Sequence, residues 1–219
     1  MGIYDFVVGV VTGIVLACLV YVIQTSRAPA IRATYDGRVA ESTVRRHLVQ
    51  RRYLHEAGRQ IYVAKLAGYL FFGSIVSVET KVRALIDDEE FKKCPIRYFI
   101  IDLSHVDGLD FSAAGAFKTM QRLLRRRKIE MLLSGVTLSD DVGKGLTRAG
   151  ILDEEAADQK NPPPKVFENL NKALEYCENA LLTAFIQRTK SLTQPEQSKS
   201  MGRYSISSKV HLFQLAYAL

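Results

Sequence analysis

Several things are scarce in this 219-residue chain: it has no tryptophan, four histidines, three cysteines and six prolines. Cys18, Cys94 and Cys177 lie too far apart in sequence to suggest a disulfide framework or a zinc cluster. His47, His55, His105 and His211 show no metal-ligand spacing, and no cofactor is expected. Six prolines and fourteen glycines are too few for a collagen-like or low-complexity chain. Charge is almost missing from residues 1–23, which carry only Asp5. Apolar residues make up 47%, which excludes a wholly disordered chain, and the length allows one ordinary domain plus extensions.

The usual signatures of catalysis are thin. Gly135 to Gly145 is no phosphate-binding loop: its glycine spacing is wrong, and Lys144 is followed by Gly145 rather than by a hydroxyl residue. No GxSxG elbow occurs. Ser104 beside His105 is adjacency without an orienting third group. Cys94 precedes Pro95 in a charged stretch, as an ordinary exposed thiol does. The reading is that of a protein that is not an enzyme.

What the chain does have is a long apolar run beside a basic block. Residues 6–23, FVVGVVTGIVLACLVYVI, carry no charge. As a helix they would span roughly 27 Å, close to a bilayer's hydrocarbon thickness. A buried helix of a soluble domain gives the same pattern, whereas a signal peptide would begin with basic residues. Residues 24–60 then hold eight arginines against Asp36, Glu41 and Glu56, which is most of the formal net charge of +7. Basic residues beside a membrane helix stay on the cytoplasmic side, so the rest of the chain is expected in the cytosol. The block either attracts anionic lipid or serves only as a topology signal. Gly9 and Gly13 form a GxxxG, which lets another helix approach closely. Arg122 and residues 125–128 are basic without aromatic or RNA-motif context, so no nucleic acid partner is expected.

Downstream, strand and helix patterns alternate. Residues 61–66 read as a strand broken by Gly68, and residues 73–86 as an amphipathic helix ending in an acidic loop at 87–90. Residues 97–102 form a continuous apolar strand buried on both faces. The next helix starts near Ser112 as N-cap and ends in the cations of 125–128. A strand at 129–133 and a helix marked by Val142, Leu146 and Ala149, closed by Gly150, follow. Residues 161–164 form a proline hinge before a long helix over 165–188. Residues 191–208 read as a disordered polar tail open to kinases, and 210–219 are apolar and unassigned. The alternation implies an α/β sheet covered by helices.

The stretch from Asp102 to Gly115 is the most distinctive. It leaves the carboxyl end of a strand and enters a helix, a place where α/β sheets bind ligands. Helix N–H groups there favour anions, but Asp102, Asp107 and Asp110 oppose them. Acidic residues at a helix start also have a purely structural use.

Asp102-Leu103-Ser104-His105-Val106 after Phe99-Ile100-Ile101, and Asp110-Phe111-Ser112-Ala113-Ala114-Gly115, resemble the STAS domain. That domain is shared by bacterial anti-sigma-factor antagonists and the cytosolic ends of SulP-type (sulfate permease) transporters. Leu66 to Gly73, Val166 to Leu170 and Ala173-Leu174 extend the similarity. The helix and arginine-rich connector look like the last membrane helix of a SulP transporter. Ser42-Thr43-Val44-Arg45-Arg46 and Arg51-Arg52-Tyr53-Leu54-His55-Glu56 look like its fungal members, some of them vacuolar. The resemblance implies a transmembrane helix at 1–24, a basic cytosolic connector at 25–59, a STAS domain at 60–188 and a tail at 189–219. The fold implied is a STAS-like mixed sheet flanked by helices.

The function implied is regulatory. The chain would be a membrane-anchored C-terminal portion of a sulfate-like anion transporter, unable to transport alone. Its partners would be the bilayer and the transporter's membrane domain or a second STAS-containing chain, as in a homodimer. A free-standing signalling module that binds a protein or nucleotide is the alternative. Asp102, Ser104, Asp107, Asp110, Phe111 and Ser112 are the candidate interaction loop. In the antagonists a serine follows the motif aspartate and accepts phosphate; Phe111 stands there and cannot. A phosphoacceptor role for Asp102 ranks last, because the first strand lacks the acidic pair that would hold Mg²⁺.

Overall fold

The computed structural model describes residues 2–26, 30–87, 94–152 and 162–193. Helix α1 is Gly2–Ser26. Its segment Tyr4–Gln24 is long and apolar enough to cross a membrane, and none of it is buried against the protein. The hydroxyl of Thr12 donates to the Val8 carbonyl at 2.8 Å, so this polar group is satisfied within the helix.

The remaining elements of the domain form a five-stranded sheet in the order β1-β2-β3-β4-β5. The strands are β1 (Ile31–Asp36), β2 (Ile61–Leu70), β3 (Tyr98–Leu109), β4 (Glu130–Ser134) and β5 (Lys165–Phe167). Only β1 is antiparallel to its neighbour; the other three pairings are parallel. The helices are α2 (Leu48–Ala57), α3 (Phe72–Asp87), α4 (Phe111–Arg126), α5 (Asp141–Arg148) and α6 (Leu170–Thr193). This is the expected mixed α/β sheet flanked by helices.

The side-chain period of two explains the continuous apolar runs. Phe99, Ile101, Met131 and Leu133 enter the core shared with α3, α4 and α5. The alternate residues Ile100 and Leu132 are just as fully buried on the opposite face. On that face the ring of Tyr176 in α6 meets Tyr98 edge-on, with centroids 6.4 Å apart. Ala173, Leu174, Cys177 and Leu181 form the buried stripe of this helix, and burial pushes the Cys177 thiol far up from its usual pKa.

Several elements differ from expectation. Gly68 does not end β2: it sits at φ +79° where the β2–β3 register shifts, a bulge that only glycine enters without strain. Residues 165–167 are a strand, and the helix begins only at Leu170, where the Asn169 side chain accepts from the Lys172 N–H at 2.9 Å. That helix continues through residues 189–193, the start of the expected tail. The basic connector holds two elements that its charge pattern does not announce, β1 and α2. The acidic residues 88–90, Asn161 and the tail beyond residue 193 lie outside the described residues.

Candidate functional site

The parallel register sets one polar row across the sheet: Lys65 of β2 is opposite Asp102 of β3, and Asp102 is opposite Ser134 of β4. Asp102 is only 3% exposed. Its Oδ1 accepts from the N–H and hydroxyl of Ser104, and from the Ser134 hydroxyl at 3.4 Å; Lys65 Nζ lies 4.0 Å from Oδ2. The carboxylate is thus enclosed and occupied by intrachain partners, as a buried charge must be. Gly135 follows β4 at φ +72°, and a Cβ there would lie 2.1 Å from Ser104 Oγ, so this close approach admits only glycine.

The expected loop over 102–112 is mostly strand. β3 runs on to Leu109 because Ala67, Gly68, Tyr69 and Leu70 keep pairing with it. Ser104 and Asp107 are therefore exposed strand residues, and Asp110 alone joins β3 to α4.

The helix cap also moves. Asp110, not Ser112, is the N-cap of α4, and its Oδ1 accepts from the Ala113 N–H at 2.6 Å. Its Oδ2 accepts from the Phe72 N–H of α3 at 3.3 Å. One carboxylate so joins two helix N-termini, each of which favours a negative charge. Ser112 lies in the first turn, exposed, because the cap needs the extended backbone found one residue before the helix. At the same carboxyl end of β2 and β3, Tyr69, Phe72 and Phe111 are exposed, Phe111 by 78%. The site thus offers aromatic faces around a helix-terminus charge that is already neutralised.

A second constellation escaped the sequence reading. Glu178 of α6 is buried, and the connector folds onto it. Its Oε1 accepts from the Ser42 N–H at 2.7 Å; its Oε2 accepts from the Ser42 hydroxyl at 2.6 Å and from Arg46 Nε at 2.9 Å. Arg46 Nη1 donates to Asn179, and the Thr43 N–H donates to Asn171 at 2.8 Å. The available signal was an acidic residue one position from Cys177 on the apolar stripe, which demands a cation, with arginines to spare upstream. Among the described residues, no group of three or more His, Cys, Asp or Glu side chains is placed to hold a metal ion.

Gly9 and Gly13 lie one turn apart on α1, and among the described residues a Cβ added at either would meet no neighbouring element within 4 Å.

Known proteins agree with this architecture. Residues 56–173, more than half of the chain, match the STAS domain, and the chain belongs to that family. It is 35% identical over 204 residues to the vacuolar basic amino acid transporter VSB1 of Saccharomyces cerevisiae, covering 91% of this chain but 19% of that protein. The chain thus spans about a fifth of that relative's length. The murine Solute Carrier 26 family member A9 anion transporter shares the fold at TM-score 0.53 and 16% identity, over 78% of this chain and 25% of that one. A sulfate transporter family protein from Wolinella succinogenes superposes with TM-score 0.42 at 26% identity, over 57% of this chain and 88% of that one.

Proposed function

We propose that this chain is the membrane-anchored STAS end of a SulP-type transporter, a regulatory and assembly part without chemistry of its own. The supporting observation is the reach of the similarity: a curated transporter covers 91% of the chain, well beyond the STAS match at 56–173. In this reading α1 crosses the membrane, Gly9 and Gly13 pack against the transporter body, and the arginines keep the domain in the cytosol. A vacuolar membrane is the location that the yeast relative suggests. That relative is named for basic amino acids, so the sulfate-like cargo draws no support from it, and the whole transporter's cargo is read as basic amino acids.

Protease added to sealed membranes should digest the connector and domain from the cytosolic side. Protection of the segment from Arg45 to Arg59 would overturn the orientation.

A second reading, a signalling module, is favoured by the exposed Tyr69, Phe72 and Phe111 around Asp110. A protein partner suits this face better than a nucleotide, because Asp110 already occupies the helix N-termini that would otherwise hold phosphates. Phe111→Ser should then abolish partner capture without loss of fold stability. Unchanged capture would remove this face from the interaction.

A further inference from the structure

The direction in which the chain enters the sheet fixes which end of the domain is nearest to α1. Helix α1 ends at Ser26, and residues 27–29 separate it from Ala30, whose carbonyl accepts from the Ala67 N–H of β2 at 3.0 Å. Four peptide steps span at most about 14 Å. Ile31 at the start of β1 is opposite Leu66, and Asp36 at its end is opposite Tyr62. The chain therefore arrives near the carboxyl end of β2 and runs toward its amino end. β2 and β3 then run back past the point of entry, where Tyr69 is opposite Gly108 and Leu70 opposite Leu109. Their carboxyl ends point back the way the chain came.

Most of the basic block lies at the other end. The Gly37 N–H donates to the carbonyls of Gly58 and Ile61, both at 3.0 Å, so the segment from Arg38 to Arg59 leaves and rejoins the sheet at the amino end of β2. The two ends of this ten-residue strand are about 30 Å apart. What the entry end exposes is aromatic and apolar. Tyr69, Phe72 and Phe111 surround the Asp110 junction, and Leu138 is exposed just after β4 at the same end of the parallel sheet. Outside α1, those three rings are the exposed aromatic side chains among the described residues. The charges at this end do not select anionic lipid: Asp107, Asp140 and Asp141 are exposed there, against His105, Arg32 and Lys144.

We infer that this aromatic end rests in the lipid–water interface beside α1, held by its rings and not by the arginines. Aromatic side chains favour that layer, where an apolar body and a polar edge are both satisfied. The short tether keeps the face at high local concentration, so a contact too weak for a free domain suffices. The connector arginines from Arg38 onward then touch no lipid. The inference rests on the reading in which α1 crosses the membrane, and it gives to lipid the face that the signalling reading gives to a protein.

The test uses the full chain in phosphatidylcholine nanodiscs that carry nitroxide-labelled lipid. A fluorophore is placed on Cys18 in α1, on Ser112→Cys or on Arg59→Cys, one at a time. Cys94, and Cys18 where it is not the probe, are replaced by serine; Cys177 is buried. Headgroup-labelled lipid should quench the Ser112→Cys probe more than the Arg59→Cys probe by about threefold or more. That quenching should be unchanged by high salt and no stronger with added phosphatidylserine. Phe111→Ser, added to Ser112→Cys, should remove half of it or more at unchanged thermal stability. If lipid labelled in mid-chain fails to quench Cys18, α1 does not cross the membrane, and the underlying reading and this inference fall together. If Cys18 is quenched, that reading stands, and the inference alone is overturned by any of three results: equal quenching at the two domain probes, quenching at Ser112→Cys that requires phosphatidylserine, or quenching that survives Phe111→Ser undiminished.

Discussion

The two acidic residues that organise this chain, Asp110 and Glu178, do opposite things with one carboxylate each. Asp110 sits inside the family match and is half-exposed, and it ties two helix N-termini together through backbone N–H groups. Glu178 sits outside the match and is buried, and it ties the connector to α6 through a side-chain ion pair. Backbone dipoles ask only for a short acidic side chain at the right place in the chain. A buried guanidinium asks for a partner of fitting charge, shape and depth. The first kind of tie is local to a strand–helix junction; the second spans more than 130 residues of sequence.

The sharpest way to break the contrast is Glu178→Ala. Removing one member of a buried pair leaves the other charged and uncompensated, at a cost of about 3 kcal/mol or more. The Ser42 N–H and hydroxyl lose their acceptor as well. Denaturant unfolding should show that loss, and protease should cut the connector faster in the folded protein. A stability change below about 1 kcal/mol would mean that the clamp opens to water at little cost.

Next in size is Asp110→Ala, expected to cost about 1–2 kcal/mol for a lost cap. Ser112→Ala, one position inside the first turn and exposed, should change stability by less than about 0.5 kcal/mol. Equal effects at the two positions would contradict the assignment of the cap to Asp110.

This pair of substitutions also shows how far the sequence could be read. The apolar helix and the buried β3 and β4 were legible because their patterns carry their own reason: length for one, unbroken apolar runs for the others. The α4 start was legible only to within two residues, because aspartate and serine both cap helices and both occur there. The β3 extension was hidden, since Ser104, His105 and Asp107 look like loop residues, and only pairing with β2 past the Gly68 bulge makes them strand. β5 was hidden for a similar reason: three residues have no period to read, and their strand character comes from β4 alone. The connector's eight arginines mask the fact that about half of it is regular structure, in β1 and α2. Its β1 alternates half-buried and exposed residues at a sheet edge, a weak pattern beside eight arginines.

The smallest expected effect lies at the end of that edge strand, and it separates charge from geometry. Burial pushes the Asp36 carboxyl up, but the Arg38 guanidinium, by hydrogen bond and charge, and the N–H groups of Val39 and Arg38 outweigh it. The folded-state pKa is therefore held below the ordinary carboxylate value. A group lowered in this way stabilises the fold above its unfolded pKa, and that contribution is lost as pH falls through the folded one. Asp36→Asn keeps an oxygen for the turn N–H groups and removes only the charge. The stability difference between the two proteins should be constant from neutral pH down to about 5. It should then shrink as the pH drops through the aspartate range near 4. Asp36 and Arg38 are both partly exposed, so salt should shrink the same difference at neutral pH. A difference that ignores both pH and salt would show that the oxygen's turn geometry, and not the ion pair, is what this residue contributes.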